Sequence, residues 1–186
     1  MTMAEGAIRV DFLPPGTHGL PGRLGLTIAP GKWRPGLDHA SDSLVRDDLL
    51  RLRDFYGAKV LVTLLEEFEM RRLAIPELLP TARRLRLRSL WFPIPDVTAP
   101  SDLGGAARLV DDILGAMSSG ETVVVHCRGG LGRSGTIAAC CLVARGRDPT
   151  EAIELVRTAR TGAIEVPDQE AFVDRFALHR RCPPAV

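Results

Sequence analysis

The fold of this chain is decided by the stretch T-V-V-V-H-C-R-G-G-L-G-R-S-G, residues 122–135. Its first part, Thr122–His126, is short, apolar and rich in β-branched residues, which predicts a buried strand. The apolar run 133–144 predicts a buried helix. The turn between them holds three glycines, which let the backbone curl until successive N–H groups face inward. Because the helix adds its positive N-terminal end to this cup, the stretch predicts a binding site for a tetrahedral oxyanion.

Further strands and helices alternate on both sides of this stretch. Strand patterns occur at residues 8–12, 24–28, 59–65 and 89–94. Helical spacing occurs at 47–56, 102–117, 149–160 and 168–179, and two short helices separated by a turn at Pro76 are expected within 66–88. Strands that alternate with helices predict an α/β fold with a central, mainly parallel sheet flanked by helices. We expect one domain, residues 1–186, with the Gly/Pro-rich N-terminal segment 1–37 packed on it.

Composition and charge exclude several classes of function. Of the 186 residues, 45% are hydrophobic and 25% are charged, as in ordinary soluble globular proteins. The 24 basic and 23 acidic side chains leave a net charge of +1, so nothing draws the whole chain to nucleic acid or to a membrane surface. The longest uncharged apolar run, 136–144, is far shorter than the roughly 20 residues that span a bilayer. Because the N-terminus has no secretory signal pattern, a cytoplasmic protein is expected.

Neither the cysteines nor the histidines predict a disulfide or a metal site. The four cysteines include no C-x-x-C pair, and the four histidines are scattered. In a reducing cytosol all four thiols are expected to be free. Cys140 and Cys141 lie in the predicted buried helix, where small apolar side chains are common, and disulfide exchange that protects Cys127 is the alternative. Cys182 lies near the C-terminus and has no predicted role, and we expect no metal and no cofactor.

The loop brings together side chains suited to attack on phosphorus. Cys127 follows the strand and is expected at the bottom of the cup. Because thiols at helix N-termini ionise more readily than free cysteine, we expect a thiolate nucleophile. Arg133 can hold two phosphoryl oxygens with its planar guanidinium. Ser134 can donate to the thiolate as it leaves, and His126 is expected to orient the loop by hydrogen bonding. The residues predicted to bind phosphate are Arg128, Gly129, Gly130, Leu131, Gly132 and Arg133.

The motif H-C-R-G-G-L-G-R-S, residues 126–134, resembles the signature H-C-x5-R-[S/T] of the cysteine-dependent protein phosphatases. Within the dual-specificity branch, the chain is similar to the cyclin-dependent kinase inhibitor 3 (kinase-associated phosphatase) family. That family has a G-G-L-G-R-S loop, an upstream P-I-x-D segment and a downstream G-A-I-x-x-x-x-Q segment, which match residues 93–96 and 162–169 here. The similarity extends over about residues 20–176 and implies a protein tyrosine phosphatase-like fold.

The resemblance implies two-step hydrolysis of a phosphomonoester, without a cofactor, through a phosphocysteine intermediate on Cys127. Asp96 matches the general acid of the family, which becomes the general base in the second step, and Gln169 matches a residue that positions water. Asp96 also follows a predicted strand end, which places it on the same edge of a parallel sheet as Cys127. Asp102 is the rival acid, but its position before a helix is more typical of a cap. A phosphoprotein substrate is implied, with phosphotyrosine and phosphothreonine both open, and a kinase partner follows from the resemblance alone.

Other functions are disfavoured or left open by particular residues. The stretch 130–135 also fits G-x-G-x-x-G, but no strand ending in an acidic residue follows about 20 residues later, as a dinucleotide site needs. Thr136 stands where a nucleotide-binding P-loop needs lysine, and sulfur transfer of the rhodanese type does not require the His, Arg-Ser and Asp of this chain. The open alternatives are a module that binds phosphoproteins without turnover and a phosphoinositide phosphatase. The latter usually has two basic residues in the loop, where this chain has only Arg128.

Basic and aromatic residues outside the motif receive structural predictions. The arginines at 83, 84, 86 and 88 are expected to form the solvated face and end of a helix rather than a polyanion site. Trp91 could line the mouth of the pocket, but because it lies in a predicted strand we expect it to pack in the core. Trp33, in the N-terminal segment, is a candidate for substrate contact.

Overall fold

A five-stranded sheet forms the centre of the structure, a computed structural model that describes residues 6–32 and 42–181. The strands are β1 (Asp11–Phe12), β2 (Arg23–Thr27), β3 (Ala58–Thr63), β4 (Arg88–Trp91) and β5 (Thr122–His126). They are ordered β1-β2-β5-β3-β4, with β1 antiparallel to β2 and all other neighbours parallel. The predicted α/β fold with a central, mainly parallel sheet is confirmed.

Helices connect the strands and cover both faces of the sheet. In the described residues they are α1 (Asp42–Leu50), α2 (Glu67–Arg72), α3 (Leu78–Arg84), α4 (Leu103–Ser118), α5 (Gly132–Ala144), α6 (Pro149–Ala159) and α7 (Pro167–Arg181). α1 continues as a π-helical turn, Arg51–Phe55, and the chain reverses at Gly57, whose φ of +74° favours glycine. Asp102 and Asp148 cap α4 and α6, as predicted, by accepting backbone N–H hydrogen bonds. Across residues 6–32 and 42–181, every helix is too short or too polar to cross a lipid bilayer.

Alternate residues of the central strands face two separate hydrophobic clusters. On β5, Val123 and Val125 pack with α4 to α7, whereas Val124 packs with α1 to α3. β3 alternates in the same way, with Val60 and Leu61 in opposite clusters. Successive side chains of a strand point to opposite faces, so a strand covered on both faces is apolar throughout. The unbroken apolar run of β5 in the sequence is therefore explained by the central position of this strand, which is covered on both faces.

The parallel strands deliver three connecting segments to one edge of the sheet. At the carboxyl end of β3, Thr63 pairs with His126 of β5 on one side and with Trp91 of β4 on the other. The turn after β5, the segment after β4 and helix α2 after β3 therefore all begin at this edge. In open α/β sheets this is the edge where ligands bind.

Residues 6–32 lie against the rest of the described chain. Ile8 and Val10 are buried in the cluster with α1 to α3, although only Asp11–Phe12 of the strand predicted at 8–12 pairs with β2. The carbonyls of Thr17 and His18 accept hydrogen bonds from arginine side chains just after α5. This stretch therefore contacts both layers of helices.

Trp91 was predicted to pack in the core, and that prediction is wrong. The side chain is 47% exposed, because β4 is the edge strand, where the cover of the sheet is incomplete. Its indole N–H donates to the Leu65 carbonyl, 2.8 Å away. The arginines at 83, 84, 86 and 88 are exposed, as predicted, but only the first two lie on a helix, since α3 ends at Arg84 and β4 begins at Arg88. Trp33 and Cys182 lie outside the described residues.

Candidate active site

The turn after β5 curls back into α5, with Cys127 at one end and Ser134 at the other. Cys127 is buried, and its Sγ lies 3.6 Å from the Ser134 Oγ. Gly130 is the position where this turn needs glycine, since its φ is +69° and a Cβ there would lie 2.2 Å from the Thr27 carbonyl oxygen on β2. The loop therefore packs directly against the end of the neighbouring strand.

Arg160, the residue after α6, holds one carbonyl of this loop. Its Nη2 donates to the Gly129 oxygen at 3.0 Å, and its Nη1 donates to the carboxylate of Asp11 on β1. In a trans peptide the carbonyl and the following N–H point in opposite directions, and the described chain has no cis peptide bond. The contact with Arg160 therefore turns the Gly130 N–H away from the Arg160 guanidinium.

The Arg133 side chain is fully buried, and every Nη hydrogen has an acceptor. Nη1 donates to Glu69 Oε2 at 2.7 Å and to the Ile94 carbonyl at 2.8 Å. Nη2 donates to Glu69 Oε1 at 3.0 Å and to Asp96 Oδ1 at 2.7 Å. Burial by itself lowers the pKa of Arg133, but its hydrogen-bonded and charged neighbours, Glu69 first among them, outweigh burial and raise the pKa above its ordinary value. The guanidinium is thus fixed and charged, and its Nη edge is shared by two carboxylates.

Asp96 lies on the rim of this site, whereas Asp102 is occupied elsewhere. The Asp96 side chain is 41% exposed, with Oδ1 on Arg133 and Oδ2 3.6 Å from the Nη1 of Arg128. Asp102 Oδ1 accepts from the Gly105 N–H at 2.8 Å and caps α4. Of the two candidate acids, only Asp96 contacts arginines of the loop and of the start of α5.

His126 is fully buried beneath the loop. Its Nδ1 lies 3.2 Å from the Cys127 carbonyl oxygen and its Nε2 lies 2.9 Å from the Thr63 Oγ1. A carbonyl oxygen only accepts, so Nδ1 carries the hydrogen and Nε2 accepts from the threonine hydroxyl. Burial lowers the pKa of His126 to about 4. The imidazole is therefore neutral at neutral pH and is bound at both nitrogens, an arrangement that fixes the carbonyl at the start of the loop.

Gln169 and Glu165 lie beside the first residue of α5. The buried Gln169 amide donates to the Thr98 carbonyl at 3.0 Å and accepts from the Glu165 N–H at 2.9 Å. The Glu165 carboxylate accepts from the Gly132 N–H at 2.8 Å. An anion that used the Gly132 N–H, as predicted from the sequence, would first have to displace this carboxylate. One N–H and one lone pair of the Gln169 amide remain for a further partner.

Four residues near the site were not singled out from the sequence: Glu69, Arg160, Glu165 and Lys32. The pKa of the Lys32 ammonium is lowered by burial and by repulsion from Arg128, whereas the charges of Cys127 and Asp96 act to raise it. Glu165 lies inside the motif 162–169, so that motif was a signal for it. No local sequence pattern marks Glu69 or Arg160 as site residues, because both act through contacts with segments that are distant in the chain.

The remaining cysteines lie in the core. Cys140 and Cys141 are buried on α5, and burial raises the pKa of both thiols. Since the thiolate is the reactive form, both are poor partners for disulfide exchange at neutral pH. Among the described residues, no three His, Cys, Asp or Glu side chains form a group that could hold a metal ion.

Comparison with known proteins gives a family match and several relatives. Residues 36–173 match the model of a family described as Swiss Army Knife protein, DSP-PTPase phosphatase domain. The chain is 30% identical to cyclin-dependent kinase inhibitor 3 of Rattus norvegicus over 111 residues, which are 58% of this chain and 52% of that protein. The Mus musculus protein of the same name is 27% identical over 173 residues, 91% of this chain and 78% of that protein. The match thus spans about half the length of the rat relative and more of the mouse relative.

Solved phosphatase structures share the fold. A kinase associated phosphatase whose catalytic-site cysteine is replaced by serine superposes with a TM-score of 0.85 at 22% identity, over 98% of this chain and 99% of that chain. Tk-PTP in its active form superposes with a TM-score of 0.71 at 26% identity, over 91% of this chain and 96% of that chain. These matches confirm the resemblance that the loop motif predicted.

Proposed function

This chain belongs to the Swiss Army Knife DSP-PTPase phosphatase domain family, and we propose that it hydrolyses phosphomonoesters of phosphoproteins through a phosphocysteine intermediate on Cys127. In the proposal, Asp96 is the general acid and base, and Ser134 assists the thiolate. Arg133 and the N–H groups of 128–133 bind the phosphoryl oxygens, the Gly132 N–H after the phosphoryl group has displaced the Glu165 carboxylate. The whole chain, 1–186, acts as one catalytic domain.

In the first step the Cys127 thiolate attacks phosphorus, a sulfur–phosphorus bond forms, and the bond from phosphorus to the leaving oxygen breaks. Asp96, which is protonated in the complex that reacts, gives its proton to that oxygen. Arg133 and the loop N–H groups stabilise the charge on the three equatorial oxygens. The Nε of Arg133, together with the Nη2 hydrogen that Asp96 holds before substrate arrives, supplies the guanidinium donors.

In the second step water attacks the phosphorus of the phosphocysteine, and sulfur leaves as a thiolate. Asp96, now ionised, takes a proton from the attacking water and is ready for another cycle. Ser134 Oγ, 3.6 Å from Sγ, donates to the departing thiolate. Gln169 is the candidate that orients the water through its remaining N–H or lone pair. Inorganic phosphate is the second product.

One observation carries this proposal. Asp96 Oδ1 and Arg133 Nη2 are 2.7 Å apart although the two residues are 37 positions apart in the chain. A proton donor for the leaving oxygen and a cation for the phosphoryl oxygens must reach the same phosphate. The contact supports Asp96 over Asp102, whose carboxylate binds the backbone at the start of α4.

The family supports a phosphoprotein as the substrate, with phosphotyrosine and phosphothreonine both candidates. Relatives carry the names cyclin-dependent kinase inhibitor 3 and kinase associated phosphatase, which supports a phosphorylated kinase as the partner. A thiolate nucleophile is open to oxidation, so a reducing compartment suits this chemistry. We therefore place the reaction in the cytoplasm.

Hydrolysis of a generic aryl phosphate by the wild type, Cys127→Ser and Asp96→Ala tests the proposal. The wild type should turn over, should be unaffected by EDTA and should be inhibited by vanadate. Cys127→Ser should be inert and still bind inorganic phosphate, and Asp96→Ala should be slow and lose its dependence on an acidic group. Full activity of Cys127→Ser would overturn the mechanism.

Two further substrates separate the alternatives. A phosphopeptide that is bound by the wild type but never hydrolysed would indicate a binding module in place of an enzyme. A phosphoinositide that is hydrolysed much faster than any phosphopeptide would move the substrate class from protein to lipid.

A further inference from the structure

A cleft of about 260 Å³ opens beside the proposed site. Its lining residues come from α2 and the residue after it, from the segment after β4 and from the loop: Phe68, Glu69, Arg72, Leu73, Asp96 and Arg128. Asp96 is the proposed donor to the leaving oxygen. The part of a substrate that lies next to the leaving oxygen is therefore the part that reaches this cleft.

The cleft has one cation without an internal partner. Both oxygens of Glu69 accept from Arg133, and Asp96 accepts from Arg133 and lies 3.6 Å from an Arg128 nitrogen. The two carboxylates of the cleft are therefore already matched with guanidinium groups. Arg72 is exposed and makes no ion pair or side-chain hydrogen bond with any other described residue.

The walls beside this cation are apolar. Phe68 is 58% exposed on the outer face of α2, and Leu73 follows the helix with its side chain half-buried. An exposed apolar surface next to polar groups is typical of an interaction site. A side chain with a short apolar stem and an anionic end matches such walls with a guanidinium at their rim.

From this geometry, and resting on the proposed function, we propose that the cleft is a specificity subsite in which Arg72 binds a second anionic group of a phosphopeptide. That group is the side chain of an Asp, a Glu or a second phosphoresidue beside the phosphoresidue that is hydrolysed. The chemistry shared by these sources is a carboxylate or phosphate that meets the Arg72 guanidinium.

The neighbouring Arg71 provides a matched control. It lies on the same helix and is exposed, but its Nη2 is paired with Glu67 at 2.6 Å and it does not line the cleft. Replacing either arginine by alanine changes the net charge and the helix propensity equally. A difference between Arg72→Ala and Arg71→Ala therefore reports on the cleft rather than on the charge of the whole protein.

The experiment measures kcat/KM for a set of phosphopeptides that carry Glu, Gln, Lys or a second phosphoresidue at each neighbouring position in turn. Each rate is divided by the rate of the same variant on an aryl phosphate. The wild type should prefer Glu over Gln at one position by about two- to fivefold, the usual effect of an exposed ion pair. The preference should be larger for a second phosphoresidue, because of its greater charge, and should shrink as salt is added.

Arg72→Ala should abolish this preference, Arg72→Glu should reverse it in favour of Lys, and Arg71→Ala should retain it. Equal rates in the wild type for the Gln, Glu and doubly phosphorylated peptides, or a preference that survives in Arg72→Glu, would overturn the subsite while leaving the proposed hydrolysis intact. If the wild type does not hydrolyse the aryl phosphate at all, the proposed function itself has failed. A preference confined to the doubly phosphorylated peptides identifies phosphate as the source of the second anion, and one shared by the Glu peptides identifies charge alone.

Discussion

Replacing Asp96 by alanine should slow turnover and strengthen phosphate binding at the same time. All four Nη hydrogens of Arg133 have acceptors, and Asp96 holds one of them through the 2.7 Å contact with Nη2. A phosphoryl oxygen that needs this donor must displace the Asp96 carboxylate, and both are anions. In Asp96→Ala the Arg133 Nη2 hydrogen is free to bind a phosphoryl oxygen, and the rim of the site carries one negative charge less.

The structure sets the size of the two effects. Arg133 is buried but Asp96 is 41% exposed, so their contact contributes at most about 1 kcal/mol, the upper end for exposed pairs. The dissociation constant of inorganic phosphate should therefore fall by about fivefold. Loss of the proton donor should reduce kcat by roughly 10²- to 10⁴-fold.

Calorimetric titration with inorganic phosphate and steady-state kinetics on an aryl phosphate measure the two effects on the same preparations. Asp96→Asn keeps an acceptor for Nη2 without the charge and should bind phosphate with intermediate affinity. Asp102→Asn, at the cap of α4, should leave both quantities close to those of the wild type. Phosphate binding that is unchanged or weaker in Asp96→Ala would show that Asp96 and the phosphoryl group do not compete for Arg133, and the reasoning would be refuted.

Three further changes test the supports of the loop and of α5. Glu69→Gln should lower the free energy of unfolding by about 3 kcal/mol, because a buried guanidinium loses its charged partner, and should lower Tm by about 6–12 °C. Glu67→Gln, on the exposed face of the same helix, should leave Tm unchanged in the same thermal scan. Equal shifts in the two variants would contradict the role of Glu69 as the anchor of Arg133. Arg160→Ala frees the Gly129 carbonyl and should weaken phosphate binding about fivefold, an effect that Arg160→Lys should partly restore. Burial holds the pKa of His126 at about 4 in the folded state, whereas the unfolded chain has the ordinary value near 6.5. Only the unfolded chain therefore gains this proton as the pH falls from about 6.5 to 4. Denaturant titrations across this range should show that the free energy of unfolding falls by up to about 3 kcal/mol, a loss that is absent in His126→Gln.

The sequence was most informative where local pattern and local structure coincide. The strand, turn and helix around Cys127 could be predicted because an apolar run, three glycines and a second apolar run each have a direct structural meaning. The position of Asp96 followed from the strand before it, since parallel strands end on one edge of the sheet. The caps at Asp102 and Asp148 followed from residue type and position.

Contacts between distant segments could not be predicted in this way. Glu69 and Arg133 are 64 positions apart, and nothing in the charged stretch after β3 indicates which of its glutamates turns inward. Trp91 is exposed because β4 lies at the edge of the sheet. The residue pattern of a single strand does not predict where that strand lies in the sheet. Arg160 looks like any helix-terminal arginine until the loop and β1 are brought beside it.

Helix α2, Glu67–Arg72, carries buried and exposed side chains with different contacts within only six residues. The inward side carries Glu69, which anchors the guanidinium and also accepts from the Glu66 N–H at the start of the helix. Phe68 and Arg72 are exposed and line the cleft together with Glu69, but their described side chains make no hydrogen bond or ion pair with it. If Arg72 binds a second anion as proposed, replacing Phe68 and Arg72 would change which phosphopeptides are preferred, while Glu69 would still hold the Arg133 guanidinium.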